Sequence, residues 1–199
     1  MSKTTIPTGG LADAAVTTAK ITDANITTAK IADDAVTSAK STAGITEVDQ
    51  WRLTTTFSGN ADPIASNWER VDTDGFGKIG TGMSESSGIF TFPSTGHWLI
   101  RLTGVGHVQA NSQRFTWNMQ VTTNNSSYNM AANHAGSVYY YGSSLDTWTS
   151  GSCEHILDVT DTSNVKVRFG FGAGQGGEKC IGDSSGTYTG VSFTRIGDT

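Results

Sequence analysis

A ten-residue unit repeats three times, without insertion, near the start of the 199-residue chain. The copies begin at Leu11, Ile21 and Ile31, and each ends in Lys. Large aliphatic residues stand at every fifth position, and five residues rotate about 140° around an α-helix, so no single helical face collects them. In a continuous strand, an odd spacing places them on opposite faces. Each repeat therefore requires a change of backbone conformation within it.

The polar residues of the repeat indicate where the backbone turns. The Asp at the third position favours a turn or a cap just after an aliphatic residue, and the Thr at the seventh position favours a short turn that holds the following Ala and Lys. We expect short turns that alternate with extended pieces. The residues concerned are Asp13, Asp23, Asp33, Thr17, Thr27 and Thr37.

The first 50 residues contain no aromatic side chain, because the 5 Trp, 5 Tyr and 8 Phe all lie at Trp51 or later. Without aromatic residues, a segment rich in Ala, Thr, Ile and Val cannot close a core by itself. Three chains around one axis would cover these small aliphatics, so residues 11–45 are predicted to form an elongated trimeric stalk; a disordered linker is the alternative. The expected stalk core is Leu11, Val16, Ile21, Ile26, Ile31 and Val36.

Residues 51–199 have the composition of a single all-β domain. Segments rich in aromatic and β-branched residues alternate with clusters of Gly, Asn, Asp and Ser, and no helical period intervenes. This pattern predicts an antiparallel jelly-roll sandwich, which we call the head. The predicted strands cover residues 52–57, 88–92, 97–103, 114–121, 137–141, 153–159, 165–171 and 187–196.

Three stretches of the head resemble one family. Residues 88–100, Gly-Ile-Phe-Thr-Phe-Pro-Ser-Thr-Gly-His-Trp-Leu-Ile, resemble the Gly-x-Phe-Thr-x-Pro-x-x-Gly-x-Tyr stretch of the complement-one-q and tumour-necrosis-factor superfamily. Residues 155–168 are similar to the strand pair of that family around Leu-x-Leu-x-x-Gly-Asp-x-Val, and residues 188–196 to its terminal strand. The resemblance implies a ten-stranded jelly roll that forms a homotrimer through one face, behind an elongated trimeric stalk.

The repeats resemble the decapeptide units, Ile-x-Asp-x-x-Ile-Thr-x-Ala-Lys, of bacteriophage tail and fibre proteins. This resemblance implies a structural virion protein, made in the host cytoplasm, in which residues 1–10 attach to other virion proteins and the head meets the host surface. The alternative is a capsid-decorating fibre or a structural tail component without receptor binding. The predicted partners are two further copies of the chain, other virion proteins, and a glycan or protein of the host surface.

Charge and motifs argue against several other functions. The net charge of −5 and the lack of any Lys or Arg block predict no nucleic-acid partner, and no apolar run is long enough to insert into a membrane. Residues 172–177 match Gly-x-Gly-x-x-Gly, but no helical pattern follows to hold a phosphate. Asp72-Thr-Asp-Gly lacks the later ligands of a calcium loop. We therefore expect no enzyme activity, cofactor or metal.

Polar and aromatic residues suggest one host-binding region. Such mixtures recognise sugar rings and protein loops, although strand packing explains some of these residues equally well. The candidates are Asn124, Asn125, Tyr139, Tyr140, Tyr141 and Trp148. Cys153 and Cys180 are expected to be buried thiols, with a disulfide between them left open.

Overall fold

The computed structural model describes residues 10, 12, 15–21, 26–33, 35–36, 44–109, 112–139, 146–175 and 177–199. The chain divides into two compact units, residues 1–43 and residues 44–199. The first unit contains the repeats and the second contains the head. Leu11 and residues 1–9 of the expected attachment peptide lie outside the described residues.

Short turns recur at fixed positions of the repeats. The 3-10 turns Thr18–Lys20 and Thr28–Lys30 occupy the same place in the first two copies. In each, the Lys amide donates to the Thr carbonyl three residues earlier, at 2.9 Å. A second turn joins Ala12 to Ala15 in the first copy and Ala32 to Ala35, around Asp33, in the third. The backbone thus changes conformation within the repeat, as the spacing predicts; Asp13, Asp23 and Thr37 lie outside the described residues.

The aliphatic side chains of the repeats are uncovered in the single chain. Their exposed fractions lie between 40% and 57%, which is unusual for large aliphatic residues in a folded protein. The side chains of one chain therefore do not cover one another. The described members of the expected stalk core are Val16, Ile21, Ile26, Ile31 and Val36.

The second unit is all-β, as predicted. Among the described residues, no helix has the length and apolar character that crossing a bilayer requires. The strands are β1 (Val48–Leu53), β2 (Thr55–Ser58), β3 (Trp68–Arg70), β4 (Ser84–Ser86), β5 (Ile89–Thr91), β6 (Gly96–Val108), β7 (Ser112–Thr122), β8 (Asn129–Val138), β9 (Thr147–Val159), β10 (Lys166–Ala173), β11 (Lys179–Asp183) and β12 (Gly190–Gly197).

Two antiparallel sheets form a jelly-roll sandwich, which confirms the predicted fold class. The seven-stranded sheet has the order β2-β11-β6-β12-β1-β3, with β9 paired to the other edge of β6. The five-stranded sheet has the order β4-β5-β10-β7-β8. We call them the large sheet and the small sheet. The described residues form twelve strands, two more than the resemblance implies, because β3 and β4 are three-residue additions.

Alternation along the strands directs aromatic residues into the space between the sheets. On β6, Trp98, Ile100 and Leu102 are fully buried. Phe90 of the small sheet lies 5.4 Å, between ring centroids, from Phe193 of the large sheet. Each such side chain contributes about 1.5–3 kcal/mol when buried. One continuous aromatic core therefore joins the two sheets.

An ion pair between buried Asp49 and half-buried Arg70 lies beside the start of β1. The Asp49 carboxylate is 1% exposed and accepts a hydrogen bond from Arg70 Nε at 2.9 Å. The same carboxylate accepts the Trp51 indole N–H at 2.9 Å and the Met83 amide at 2.7 Å. Asp49 thus ties the 71–83 connection to β1.

Sequence patterning misplaces β8 and misses β3, β4 and β11. It predicts a strand over residues 137–141, whereas β8 spans Asn129–Val138. Asn and Ala are poor strand formers, and β8 is an edge strand whose pairing with β7 alone defines it. The first strand also begins at Val48, three residues before the predicted start of the head.

The sandwich has two ends that matter for function. At the base, β1 begins at Val48 opposite Thr194, and the end of β12 pairs with the start of β6. At the tip, β6 ends at Val108 opposite Thr147, where β9 begins. Residues 44–47, through which the chain enters the head, therefore lie at the base.

Candidate functional site

The residues that the sequence nominates for host binding separate into two groups. Asn124 and Asn125 lie in the β7–β8 connection at the base, whereas Tyr139 follows β8 and Trp148 is the second residue of β9, both at the tip. The ten residues of β8 span about 30 Å between these ends. Tyr140 and Tyr141 lie outside the described residues. A single binding region cannot include both groups.

The Asn124 side chain organises its own loop. Its Oδ1 accepts hydrogen bonds from the backbone amides of Ser126 and Ser127, at 3.0 and 2.9 Å, and from the Thr122 hydroxyl at 2.9 Å. Asn125 adopts a left-handed conformation with φ of 54° and donates its amide to the Asn164 carbonyl. These contacts assign both residues a structural role at the base.

Trp148 stands at the tip against a buried histidine. It is directly opposite His107 in the β6–β9 pairing, and the two ring centroids are 4.7 Å apart with an angle of 51°. His107 is buried, while 54% of the Trp148 side chain remains exposed. The imidazole therefore supports the indole from one side and leaves a broad part of it open to solvent.

A carboxylate and an amide lie beside the histidine that supports the indole. Asp146 Oδ1 lies 3.2 Å from His107 Nε2 and accepts a hydrogen bond of 2.8 Å from Gln109 Nε2. The hydrogen bond from Gln109 lowers the pKa of Asp146, and the nearby His107 ring lowers it further. Lys179 of β11 is opposite His107 in the strand register, at the edge of β6 that does not pair with β9. We call Gln109, His107, Asp146, Trp148 and Lys179 the tip cluster.

The hydrogen bonds of the tip cluster leave groups open for a ligand. Both contacts of Asp146 use Oδ1, and among the described residues Oδ2 accepts none. Asp146 and Gln109 are themselves exposed. The cluster thus combines an aromatic face with an ionised acceptor and amide groups, all fixed on strands or next to strand ends.

Polar residues separate Trp148 from the apolar end of the same face. Outward-facing residues of β9 follow Trp148 in the order Ser150, Ser152, Glu154 and Ile156. A cavity of about 410 Å³ lies over this polar stretch, lined by Arg101, Thr103, Ser150, Ser152 and Tyr188 among others. Along β9, an outward-facing apolar residue returns near the base, where Ile156 pairs with Leu99.

Sequence reasoning finds Trp148 and misses its supporting residues. His107, Gln109 and Lys179 belong to other segments of the chain, and their proximity depends on the β9-β6-β11 pairing. Asp146 is the only neighbour close in sequence, two residues before Trp148. The signal that the sequence offers is an aromatic residue two positions after an acidic one.

The other motifs have ordinary structural roles. Gly172 and Ala173 end β10, and residues 174, 175 and 177 lie between β10 and β11, so the described part of this Gly-rich stretch connects two strands. Asp72 forms an ion pair with the buried Arg52 at 2.8 Å. Among the described residues, no group of three or more His, Cys, Asp or Glu side chains could hold a metal ion. Cys153 and Cys180 are free thiols, Cys180 fully buried and Cys153 half-buried.

Comparison with known proteins relates the head to one fold. No family model matches the chain, and no curated protein matches it. Among solved structures, Eiger TNF from S. frugiperda has a TM-score of 0.57 at 13% identity, covering 76% of this chain and 93% of that one. Murine APRIL, crystallised at pH 5.0, has a TM-score of 0.55 at 11% identity, covering 75% and 98%.

These similarities define the class of fold. The head has a jelly roll of the tumour-necrosis-factor type, as residues 88–100 and the two later stretches predict. The identities of 11% and 13% show a shared fold and carry no receptor or ligand over to this chain.

Proposed function

We propose that this chain is a structural fibre protein of a bacteriophage virion that assembles as a homotrimer. Residues 1–10 attach to other virion proteins, residues 11–45 form the stalk, and the head is projected toward the host surface. The observation that carries the proposal is the exposure of five regularly spaced aliphatic residues, at 40% to 57%, in a chain whose head is a compact sandwich.

The repeats support association of several chains. Their turns recur with a period of ten residues, so three parallel chains in register would bring equivalent aliphatic residues to the same level. Burial among neighbouring chains supplies about 1.5–3 kcal/mol for each fully covered side chain, which offsets the cost of ordering the backbone. In the first copy, Lys20 Nζ donates to the Ala15 carbonyl at 2.7 Å, so this side chain folds back along its own repeat.

The outer face of the large sheet supports the same assembly. Leu99 and Ile156 are paired there, and Ile196 lies two residues beyond Thr194, which also pairs with Leu99. Ile156 and Ile196 are about half exposed. We call these three residues the base patch, and copies of the chain pack against one another over it. The family resemblance in the sequence implies association through one face.

The direction of the chain supports a role for the tip in attachment. The chain enters the head at residues 44–47, which lie at the base. The tip cluster lies at the opposite end of β6 and β9. Within the head, the tip is therefore the end opposite the residues that connect to the proposed N-terminal anchor. Host contact accordingly falls to the tip, and not to Asn124 and Asn125.

Electron microscopy of virions labelled with gold-conjugated antibodies to the head tests this proposal. We expect gold particles at the outer ends of fibres. Label at the ends of tail fibres supports host attachment, and label over the capsid supports the capsid-decorating alternative. The isolated protein on the same grid is the positive control for the antibody. If it is strongly labelled and intact virions are not, the result contradicts a virion role.

A further inference from the structure

Trp148 is an exposed aromatic residue whose position is fixed. It lies on a 13-residue strand that pairs along its full length with β6, and the buried His107 ring packs against it. Little conformational freedom is lost when a ligand covers a side chain that is already held in this way. The exposed indole is therefore a preformed contact surface.

The groups around the indole are those that recognise hydroxyl-rich ligands. The Asp146 carboxylate presents Oδ2 as an acceptor that the described residues leave unused, and the Gln109 amide and the Lys179 ammonium supply donors. The negative π-face of an indole attracts the weakly positive C–H groups of a pyranose ring, while the carboxylate accepts its hydroxyl groups. One apolar face bordered by polar groups matches the amphipathic surface of a sugar.

The surroundings of Trp148 argue against a second copy of the chain as its occupant. Interfaces between copies are depleted in charged residues at their centre, whereas Asp146 lies two residues before Trp148 and Lys179 is opposite the supporting His107. Ser150, Ser152 and Glu154 separate Trp148 from the base patch by a row of outward-facing polar residues. The apolar surface that suits association between copies is therefore at the other end of the sheet.

We infer that the tip cluster is a carbohydrate-binding site, in which the Trp148 indole stacks on a pyranose ring and Asp146 with Gln109 hydrogen-bonds its hydroxyl groups. This inference rests on the proposed role of the tip in host attachment and names the class of surface molecule that it contacts. No covalent step is involved, and the ligand is released unchanged.

A glycan array tests the inference with the full-length protein. The array carries defined oligosaccharides of glucose, galactose, mannose and their N-acetylated amino sugars. We expect wild type to bind at least one of them, and Trp148→Ala to weaken that binding by about tenfold or more. Trp148→Phe, which keeps an aromatic face, should lose less, and Asp146→Asn should weaken binding while leaving the indole in place.

Met130→Ala is the matched control. Met130 is an exposed apolar residue near the base end of β8, so its replacement should change neither binding nor oligomer mass. Wild type that binds none of the oligosaccharides overturns the inference, and so does Trp148→Ala that binds as strongly as wild type. If Trp148→Ala dissociates the oligomer, the indole belongs to a contact between copies and the inference is equally overturned.

Host adsorption separates this inference from the proposed function. Virions that carry Trp148→Ala and adsorb to host cells as well as wild type contradict the sugar site but leave the fibre role intact. Loss of antibody label from virions contradicts the fibre role whatever the array shows.

Discussion

Gly104 on β6 lies directly against the indole of Trp117 on β7, so that a Cβ atom built on Gly104 would overlap three atoms of the ring. Trp117 belongs to the small sheet and is fully buried, and Gly104 belongs to the large sheet. Because Gly104 has no Cβ atom, the Trp117 indole can lie against the backbone of β6. This contact therefore sets the distance between the two sheets near the tip. Gly151, directly opposite Gly104 on β9, admits the His134 ring in the same way.

Replacing Gly104 tests this packing. We expect Gly104→Ala to lower the free energy of unfolding by about 1–3 kcal/mol, because neither the indole nor the strand backbone has room to move. Gly177→Ala, at an exposed position with nothing within 4 Å, is the control and should change the free energy by less than about 0.5 kcal/mol. Urea denaturation measures both; equal stability of Gly104→Ala and wild type would contradict the contact.

The ion pair between Asp49 and Arg70 gives a second prediction. Asp49→Ala leaves the Trp51 indole N–H and the Met83 amide without their acceptor and removes the carboxylate beside Arg70, which still donates to the Met83 carbonyl. Because the Arg70 side chain is 34% exposed, water can solvate its charge, and the loss of free energy of unfolding, mainly from the two N–H donors left without an acceptor, should be about 1–3 kcal/mol. Thermal denaturation followed by circular dichroism measures the loss. Glu154→Ala, which removes an exposed carboxylate, should be nearly neutral, and equal effects of the two variants would refute the role of Asp49.

The two thiols predict how stability depends on alkaline pH. Burial raises the pKa of both Cys153 and Cys180 to about 11, from an ordinary value near 9. As pH rises, the thiols therefore lose their protons in the unfolded chain before they lose them in the folded protein. The contribution of the two thiols to the free energy of unfolding is complete below pH 9 and declines between about 9 and 11.

Thiol reactivity checks the same point at neutral pH. Both cysteines should resist alkylation in the native protein and react after denaturation, because the thiolate is the reactive form. Rapid modification of Cys180 without unfolding would contradict its burial. The double variant Cys153→Ser with Cys180→Ser should remove the thiol contribution to the alkaline decline.

Trypsin tests whether the repeats are an ordered stalk or a disordered linker. In the assembled protein we expect slow cleavage after Lys20 and Lys30, since covered aliphatic residues hold the backbone. Replacing Ile21 and Ile31 together by Asp should accelerate cleavage at both sites, whereas Ala32→Ser should not. Rapid cleavage of the wild-type repeats would favour the disordered linker.

The sequence predicts the sandwich well because its strongest signals are local. Alternation of residues such as Trp98, Ile100 and Leu102 identifies a strand whatever its partners are. β8 is misplaced because Asn129, Asn133 and the neighbouring Ala residues form a strand only through pairing with β7. β3 and β4, of three residues each, are too short to show alternation.

The candidate site is only partly predictable for the same reason. Trp148 can be selected from the sequence as an aromatic residue next to a polar loop. His107 and Lys179 come close to it only because of how β9, β6 and β11 pair, and local sequence does not encode that pairing. Grouping Asn124 with Trp148 is wrong in space, because β8 carries the chain from one end of the sandwich to the other. The backbone contacts of Asn124 likewise appear only in the folded loop.

Separate fragments test which half directs assembly. A fragment of residues 44–199 keeps Glu47, whose carboxylate accepts the Thr81 and Gly82 amides, and should fold and remain trimeric. Residues 1–46 alone should be disordered, because three short chains cannot offset their ordering cost without the local concentration that the head provides. Circular dichroism with analytical ultracentrifugation decides it, and a stably trimeric isolated stalk would reverse the assignment.

The mass of the full-length protein in solution tests the account most directly. The repeat aliphatics and two residues of the base patch are exposed in the single chain, and we propose that other copies of the chain cover them. Sedimentation equilibrium at micromolar concentration should therefore give three times the 20.9 kDa of one chain. A mass of 20.9 kDa, unchanged as concentration rises, would contradict the homotrimer and with it the stalk that the repeats are proposed to form.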